Sequence, residues 1–300
     1  MLTTGAPPMF AIVNAVAALL ALVIAAVLYR KPSRKAELAA LCLAPVALAA
    51  SIAIGPDIDG VHRWVAIGPL RLHAAALFGP SFLVAFQRRA DWFGTAVAVV
   101  MAGLVTLQPD MGAALALACA LGIALVFEFR WDRLMAFAVS AIAFGVTAIR
   151  PDRLEPVSFV ENVLQNIWHQ GSVLALLIPL ALLAAIAAPV LMSAGRRSEG
   201  AALAGWFLGL AAASLLGPFP TPLIGYGAAP ILGYGIALGL LGRARPNPAP
   251  SDNGCTQTGT ASPYARSLQI ERAGRLNDNR DQCSRNLAGN PCHAGSGGMH

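Results

Sequence analysis

Several carboxylates that could do chemistry lie in alternate connections between the long apolar segments of this sequence. A carboxylate at such a position can accept a proton from an attacking hydroxyl group. Asp110 directly follows Pro109, so it can serve as an acid in a pocket or as the N-cap of the helix that follows. The acids of this set are Asp57, Asp59, Asp110, Asp152, Glu155 and Glu161.

The same connections also carry a cation, Arg63, that could act together with these acids. Arg63 next to Trp64 can bind a phosphate group through two parallel hydrogen bonds, or the pair can anchor the loop at a membrane interface. Both interpretations remain open. Asp57 and Asp59 are typical of turn residues, whereas Glu161 falls on the polar face of a short amphipathic segment.

The residues themselves give little support for metal binding or for nucleic-acid binding. Cys42 and Cys119 lie within apolar runs, where a lone thiol is usually a small core residue. The other three cysteines follow residue 250 at spacings that match no zinc module, so we predict no metal site there. The net charge of +6 comes from scattered basic pairs, which indicates membrane orientation and no nucleic-acid partner.

The elements that must position these side chains are membrane helices. Hydrophobic residues make up 57% of the chain and the mean hydropathy is +0.64, a composition that excludes a soluble domain. The apolar residues form blocks long enough for a hydrocarbon core of about 30 Å. We therefore predict an all-α polytopic transmembrane helical bundle. Its nine expected spans are 9–29, 37–54, 72–87, 92–107, 112–129, 134–149, 171–192, 201–217 and 226–242.

The charges of the connections predict the orientation of this bundle. One alternating set of connections holds twelve basic residues and the other holds four. Because Lys and Arg accumulate on the cytoplasmic side, the first set faces the cytoplasm and the N-terminus lies outside. The expected location is a bacterial inner membrane, with multiple spans. The predicted organisation is an external head (1–8), a transmembrane domain (9–242) and a disordered polar cytoplasmic tail (243–300).

Four predicted external segments are polar or irregular. They are residues 55–70, the Gln-Pro-Asp-Met-Gly junction at 108–112, the loop 150–170 and the Pro-rich segment 218–227. Three prolines in five residues prevent a helix in the Pro-rich segment. Loop 150–170 has the amphipathic spacing of a short interfacial helix.

Three of these external segments together resemble one family. The pair Arg63-Trp64, the junction 108–112 and the segment 220–227 occur in the order seen in the SEDS family, the FtsW/RodA/SpoVE group of cell-division and cell-shape proteins. The resemblance covers roughly residues 10–242. The family has ten spans and an RW loop after the third. In this chain that loop follows the second predicted span, as in a member that lacks the first helix.

The resemblance implies an activity and a set of site residues. The family polymerises lipid II, an undecaprenyl-linked intermediate, in a metal-linked glycosyltransfer, which implies a divalent cation and a class B penicillin-binding protein as partner. Asp110 matches the family's junction, where it looks structural or metal-proximal. Glu161 is the nearest positional substitute for the family's catalytic aspartate. The substrate-binding residues that the resemblance implies are Arg63, Trp64, Gln108, Pro222, Tyr226 and Gly227.

Departures from the family pattern make the predicted function that of a divergent member. Gly79 stands where the family has a lysine, Ala113 replaces a threonine, and the loop that carries the catalytic aspartate is shortened without its motif. We therefore expect a SEDS-like role in peptidoglycan assembly with weak or absent polymerase activity. The alternatives are a non-catalytic lipid-intermediate binder or scaffold of a division complex, and a small-molecule transporter. A transporter would be expected to show paired broken helices in two repeats, whereas this sequence has one Pro-rich segment.

Overall fold

A computed structural model describes residues 8–30, 34–68, 70–89, 91–150, 161, 163–169, 173–193, 195–225 and 227–242. All of them belong to the first of two units, Met1–Arg245. The predicted head before residue 8 and the predicted tail 243–300 lie outside the described residues. The described elements are α1 (Pro8–Arg30), α2 (Arg34–Ile54), β1 (Trp64–Ile67), β2 (Leu70–His73), α3 (Ala74–Arg88), α4 (Trp92–Leu107), α5 (Met111–Phe127), α6 (Trp131–Ala148), α7 (Val163–His169), α8 (Leu174–Met192), α9 (Arg197–Leu216) and α10 (Ala228–Leu241).

The helical bundle predicted from the apolar segments is confirmed, with one helix at each of the nine expected positions. Five described helices are long and apolar enough to cross a membrane, and α4, α5 and α10 are shorter apolar helices. The short helix α7 lies inside the segment 150–170 that was expected to form an interfacial helix. The five long helices are Pro8–Tyr29, Arg34–Ile54, Trp131–Ala148, Ala175–Met192 and Arg197–Leu216.

A two-stranded hairpin that begins in the polar segment 55–70 was not predicted. Strands β1 and β2 pair antiparallel, with Trp64 opposite His73, and Gly68 takes the left-handed conformation (φ +59°) in the turn between them. Leu72 is buried against Leu77 of α3 and Ala229 of α10. Because β2 occupies residues 70–73, helix α3 begins at Ala74 and not at residue 72 as predicted.

Small residues allow α5 and α9 to pack with their backbones in contact. A Cβ atom built on Gly205 would lie 2.7 Å from the Cα of Ala120, and one built on Gly209 would lie 2.5 Å from the Cα of Ala116. Gly235 of α10 is equally close to Ala21 of α1. Close approach at small residues is the usual way in which membrane helices associate.

We expect Gly209→Ala to destabilise the protein and Gly145→Ala not to do so. The new methyl group at position 209 would meet backbone atoms of α5, an overpacking that typically costs about 1–3 kcal/mol. A Cβ on Gly145 meets nothing within 4 Å, and alanine is the better helix former. Thermal denaturation of the two purified variants in detergent provides the comparison. Equal loss of stability in both would contradict the tight α5–α9 contact.

Buried ion pairs close the arginine-rich end of the bundle. Arg88 of α3 donates to Glu37 of α2 (2.6 Å), to Glu199 of α9 (3.0 Å) and to the carbonyl oxygen of Leu240 in α10 (2.7 Å). Arg196 donates to the carbonyl oxygen of Leu241 (2.7 Å). These side chains therefore connect four helices and satisfy C-terminal carbonyl groups of α10 that have no partner within their own helix.

The predicted orientation can be tested by labelling single cysteines in a cysteine-free background. Arg71 in β2 and Arg197 at the start of α9 are both accessible positions, and they lie at the ends that the charge rule assigns to opposite sides. We expect an impermeant thiol reagent to label Arg71→Cys in intact cells and to reach Arg197→Cys only after permeabilisation. The reverse pattern would overturn the orientation.

Candidate functional site

Contacts of Arg63 join the Arg-Trp loop to the Gln-Pro-Asp junction. The Nε of Arg63 donates to the carbonyl oxygen of Gln108 (3.1 Å) and its Nη2 donates to that of Pro109 (2.7 Å). Only 4% of Arg63 is exposed. These hydrogen bonds are those of an anchor that holds the junction in place, and they bring one positive charge to this end of the bundle.

Asp110 caps helix α5, as one of its two interpretations required. Its Oδ1 accepts a hydrogen bond from the backbone N–H of Ala113 (3.0 Å), and its Oδ2 lies 3.1 Å from Nε2 of His73. The Nδ1 of His73 accepts from the N–H of Ala76 (3.3 Å) and so caps α3. Since Nδ1 is an acceptor, Nε2 carries the ring hydrogen, and it faces the Asp110 carboxylate. The His73–Asp110 pair therefore links the N-termini of α3 and α5.

The surroundings of Asp110 favour its ionised form. Burial alone would raise its pKa. The neighbouring His73, the guanidinium group of Arg63 and the Ala113 N–H outweigh that effect and hold the pKa of Asp110 well below the usual carboxyl range. A carboxylate so strongly stabilised is a poor proton acceptor at neutral pH.

Gln108 and Thr221 bring acceptor atoms to this end. The Nε2 of Gln108 donates to the carbonyl oxygen of Leu48 (3.2 Å) and to Oγ of Ser51 (2.6 Å). Its Oε1 is buried, and so is the Oγ1 of Thr221, and neither has a hydrogen-bond partner among the residues that the structure describes. Buried polar atoms are nearly always hydrogen-bonded, so both atoms are candidates to meet a ligand hydroxyl group or water.

Asn14 in the first half of α1 holds the Pro-rich segment. Its side-chain amide donates to the carbonyl oxygen of Gly225 (3.0 Å), and its Oδ1 accepts from the N–H of Gly227 (3.2 Å). These two bonds bracket position 226, but the predicted site residue Tyr226 itself lies outside the described residues. A lone asparagine in an apolar span was the signal that could have identified this role from the sequence.

The junction also contacts the Pro-rich segment, in which Pro222 is buried. A Cβ atom on Gly112 would lie 3.2 Å from the ring of Phe219. Leu223 adopts a left-handed backbone (φ +64°), which is unfavourable for a branched side chain and requires support from its surroundings. The backbone of Glu161 forms an isolated antiparallel bridge with Pro220, which places the predicted catalytic substitute beside the same segment.

Aromatic and acidic residues complete this end of the bundle. Trp64 stacks edge-on against His73, with ring centroids 6.1 Å apart. Asp57 accepts from the N–H of Gly60 (2.7 Å), which is the turn role expected for it. Asp152 and Glu155 lie outside the described residues.

The described donors at this end do not supply a ligand set for the divalent cation that the family resemblance implies. In the part of the chain that the structure describes, no group of three His, Cys, Asp or Glu side chains is close enough to hold a metal ion. His73 and Asp110 at this end face each other at 3.1 Å.

The structure thus brings together most of the site residues predicted from the sequence. Contacts through the hairpin and the junction connect four of them, directly or through His73. They are Arg63, Trp64, Gln108 and Asp110. The Pro-rich segment, with Pro222 and Gly227, joins them through Phe219, and Glu161 joins through Pro220. His73, Asn14 and Thr221 were not predicted as site residues. The fold and this cluster together define a polytopic helical membrane protein with a polar site at one end.

Solved structures identify the fold more narrowly. Rod shape determining protein RodA of Thermus thermophilus is 21% identical over 79% of this chain, with a TM-score of 0.57 and 87% of RodA covered. An aspartate-to-alanine mutant of the same RodA gives a TM-score of 0.61 at 21% identity, over 79% of this chain and 88% of that one. A chain from a peptidoglycan synthase complex is 20% identical, with a TM-score of 0.54, over 78% of this chain and 89% of its own.

These comparisons establish that the chain has the fold of RodA. The resemblance to the SEDS family predicted from three motifs is therefore confirmed at the level of the fold. No protein-family model matches the sequence, and no curated protein is detectably similar to it.

Proposed function

We propose that this chain is a SEDS-like membrane protein of peptidoglycan assembly in a bacterial inner membrane, acting in cell division or cell shape. Its external polar end binds an undecaprenyl-linked intermediate such as lipid II. The observation that carries the proposal is the convergence, in a RodA-like bundle, of the Arg-Trp loop, the Gln-Pro-Asp junction and the Pro-rich segment.

The residues at this end suit a sugar attached to a lipid by a pyrophosphate. The buried Oε1 of Gln108 and Oγ1 of Thr221 can each accept a hydrogen bond from a sugar hydroxyl group. Arg63 supplies positive charge at the same end. The bundle provides apolar surface along which the lipid tail lies while its head group reaches these residues.

The residues of this site are poorly suited to proton transfer. The Oδ1 of Asp110 accepts from Ala113, its Oδ2 lies 3.1 Å from Nε2 of His73, and its pKa is lowered. Glu161 is the remaining carboxylate of the described residues that lies beside the Pro-rich segment. Loss of a well-placed general base usually costs about a hundred- to ten-thousand-fold in rate. We therefore propose that the protein binds the intermediate and has weak or absent polymerase activity by itself.

A penicillin-binding partner is part of the same proposal. One structure of the same fold belongs to a peptidoglycan synthase complex, in which polymerisation and crosslinking are coordinated. A class B penicillin-binding protein supplies the crosslinking half of such a complex. The role that we propose for this chain is therefore to hold a lipid-linked intermediate within that kind of assembly.

Purified protein offered fluorescently labelled lipid II tests the proposal. We expect saturable binding and little or no glycan polymer. Robust polymerisation that Glu161→Ala abolishes and Asp152→Ala spares would contradict weak catalysis and establish Glu161 as the base. Absence of binding to lipid II would contradict the proposed function itself.

A further inference from the structure

A second polar feature lies at the opposite, arginine-rich end of the bundle. A cavity of about 350 Å³ opens between the first turns of α4 and α6. It is lined by Asp91, Trp92, Arg130, Trp131 and Asp132. None of these residues belongs to the external polar end, so a ligand of this cavity is independent of the proposed function.

Charges of both signs alternate around this cavity. Arg130 forms two hydrogen bonds with Asp132, from Nε to Oδ1 (3.0 Å) and from Nη2 to Oδ2 (3.1 Å). Asp91 is paired with Arg89, whose Nε lies 3.1 Å from each of its carboxylate oxygens. The hydrogen bond from Arg89 holds the pKa of Asp91 below its usual range, so this carboxyl group is ionised at neutral pH. The lining therefore suits a ligand that carries both charges.

The two helix ends at the cavity differ in their capping. Asp91 accepts from the N–H of Gly94 (2.9 Å) and so caps α4. Arg130 is the N-cap residue of α6, and it makes no capping hydrogen bond with its side chain. The first N–H groups of a helix and its dipole favour an anion. The first turn of α6 also carries Asp132, so a phosphate here would meet the helix end and the Arg130 guanidinium group beside the Asp132 carboxylate that pairs with it.

Two tryptophans set the depth of the cavity in the membrane. Trp92 is 64% exposed and Trp131 is 71% exposed, each at the first position of its helix. Exposed tryptophans at helix ends concentrate at the level of the lipid head groups. The cavity therefore lies where a phospholipid head group of the arginine-rich side would lie.

We propose that this cavity binds the head group of a phospholipid that carries a phosphate and a primary ammonium, as in phosphatidylethanolamine. The ammonium donates hydrogen bonds to Asp91 and Asp132, and the phosphate accepts from Arg130 and the start of α6. The volume falls within the range of about 300–1,000 Å³ that is typical of ligand pockets. A purely anionic head group meets two carboxylates, and a choline group cannot donate to them.

Native mass spectrometry of the full chain in detergent with equal amounts of three phospholipids tests this selectivity. The three carry ethanolamine, glycerol and choline head groups on the same acyl chains. We expect the wild type to retain the ethanolamine lipid at least several-fold more than either of the others. Equal retention of all three, or preference for the glycerol or choline lipid, would overturn the proposal without any variant.

The double substitution Asp91→Asn and Asp132→Asn tests whether these two carboxylates produce the selectivity for the ethanolamine lipid. Asparagine at position 91 can still cap α4, so we expect a folded protein whose preference for the ethanolamine lipid falls roughly tenfold, equivalent to about 1.4 kcal/mol. Asp57→Asn, at the other end of the bundle, is the matched control and should leave the preference unchanged. An unchanged preference in the double variant would place the site elsewhere and overturn the proposal.

Discussion

Replacing Arg88 with methionine is expected to lower the free energy of unfolding by about 3–5 kcal/mol, the usual cost of breaking a buried ion pair on one side. Arg88 is 7% exposed and Glu199 is 5% exposed. Without the guanidinium group, Glu199 keeps a buried charge whose remaining described cation, Arg196, is 3.7 Å away. The carbonyl oxygen of Leu240 also loses one of its donors. Thermal and chemical denaturation of the purified variant in detergent measures the loss.

The neighbouring arginine provides the control for that experiment. Arg89 pairs with Asp91, and the two side chains are 35% and 43% exposed. Ion pairs of this kind contribute about 0–1 kcal/mol, so Arg89→Met should change stability little. Adding Glu199→Gln to Arg88→Met removes the uncompensated charge and should restore part of the loss. Similar losses in the two arginine variants would contradict a buried cluster at this end.

Asp110→Ala is expected to cost about 2–4 kcal/mol, which combines the loss of a helix cap with the loss of a buried acceptor. The cap is the hydrogen bond from Ala113, and the acceptor is the oxygen that faces His73. Asp91→Ala is the matched control, because Asp91 caps α4 but is much more exposed, and it should cost about 1 kcal/mol. Equal losses in the two alanine variants would show that the His73–Asp110 pair contributes nothing beyond a cap.

The same carboxyl group predicts a dependence of stability on pH. A lowered pKa in the folded state means that the stabilisation is complete above the unfolded carboxyl pKa of about 4 and is lost as pH falls towards the folded value. The wild type should therefore lose stability on acidification more steeply than Asp110→Asn, which keeps the cap and cannot ionise. Parallel stability curves for the two proteins between neutral pH and about pH 3 would contradict an ionised, buried Asp110.

The helices could be predicted from the sequence because their signals are local. Each apolar block ends at charges, prolines or glycines, so the expected positions agree with α1 to α6 and α8 to α10 to within a few residues. The cap role of Asp110 is local as well, since it depends on the three residues that follow. The hairpin 64–73 was missed because its few strand residues lie inside a polar connection, and its pairing depends on burial of Leu72 against α10.

The contacts of the site are mostly non-local and could not be derived from spacing. Arg63 meets the Gln108 carbonyl group 45 positions later, and Asn14 meets Gly225 211 positions later. The sequence placed Arg63, Gln108 and the Pro-rich segment on one side of the membrane through charge counting and through the family resemblance. It did not indicate that Arg63 would hold backbone carbonyl groups, or that His73 would donate to Asp110.

Photo-crosslinking of a lipid II analogue, with a diazirine near its sugar and peptide digestion of the product, shows where the intermediate binds. We propose that a lipid-linked glycan intermediate binds at the end formed by the Arg-Trp loop, the Gln-Pro-Asp junction and the Pro-rich segment. We predict labelled peptides from residues 55–73, 108–112 and 218–227, and competition by unlabelled lipid II. Labelling confined to the arginine-rich connections, or labelling that unlabelled lipid II does not reduce, would contradict this claim.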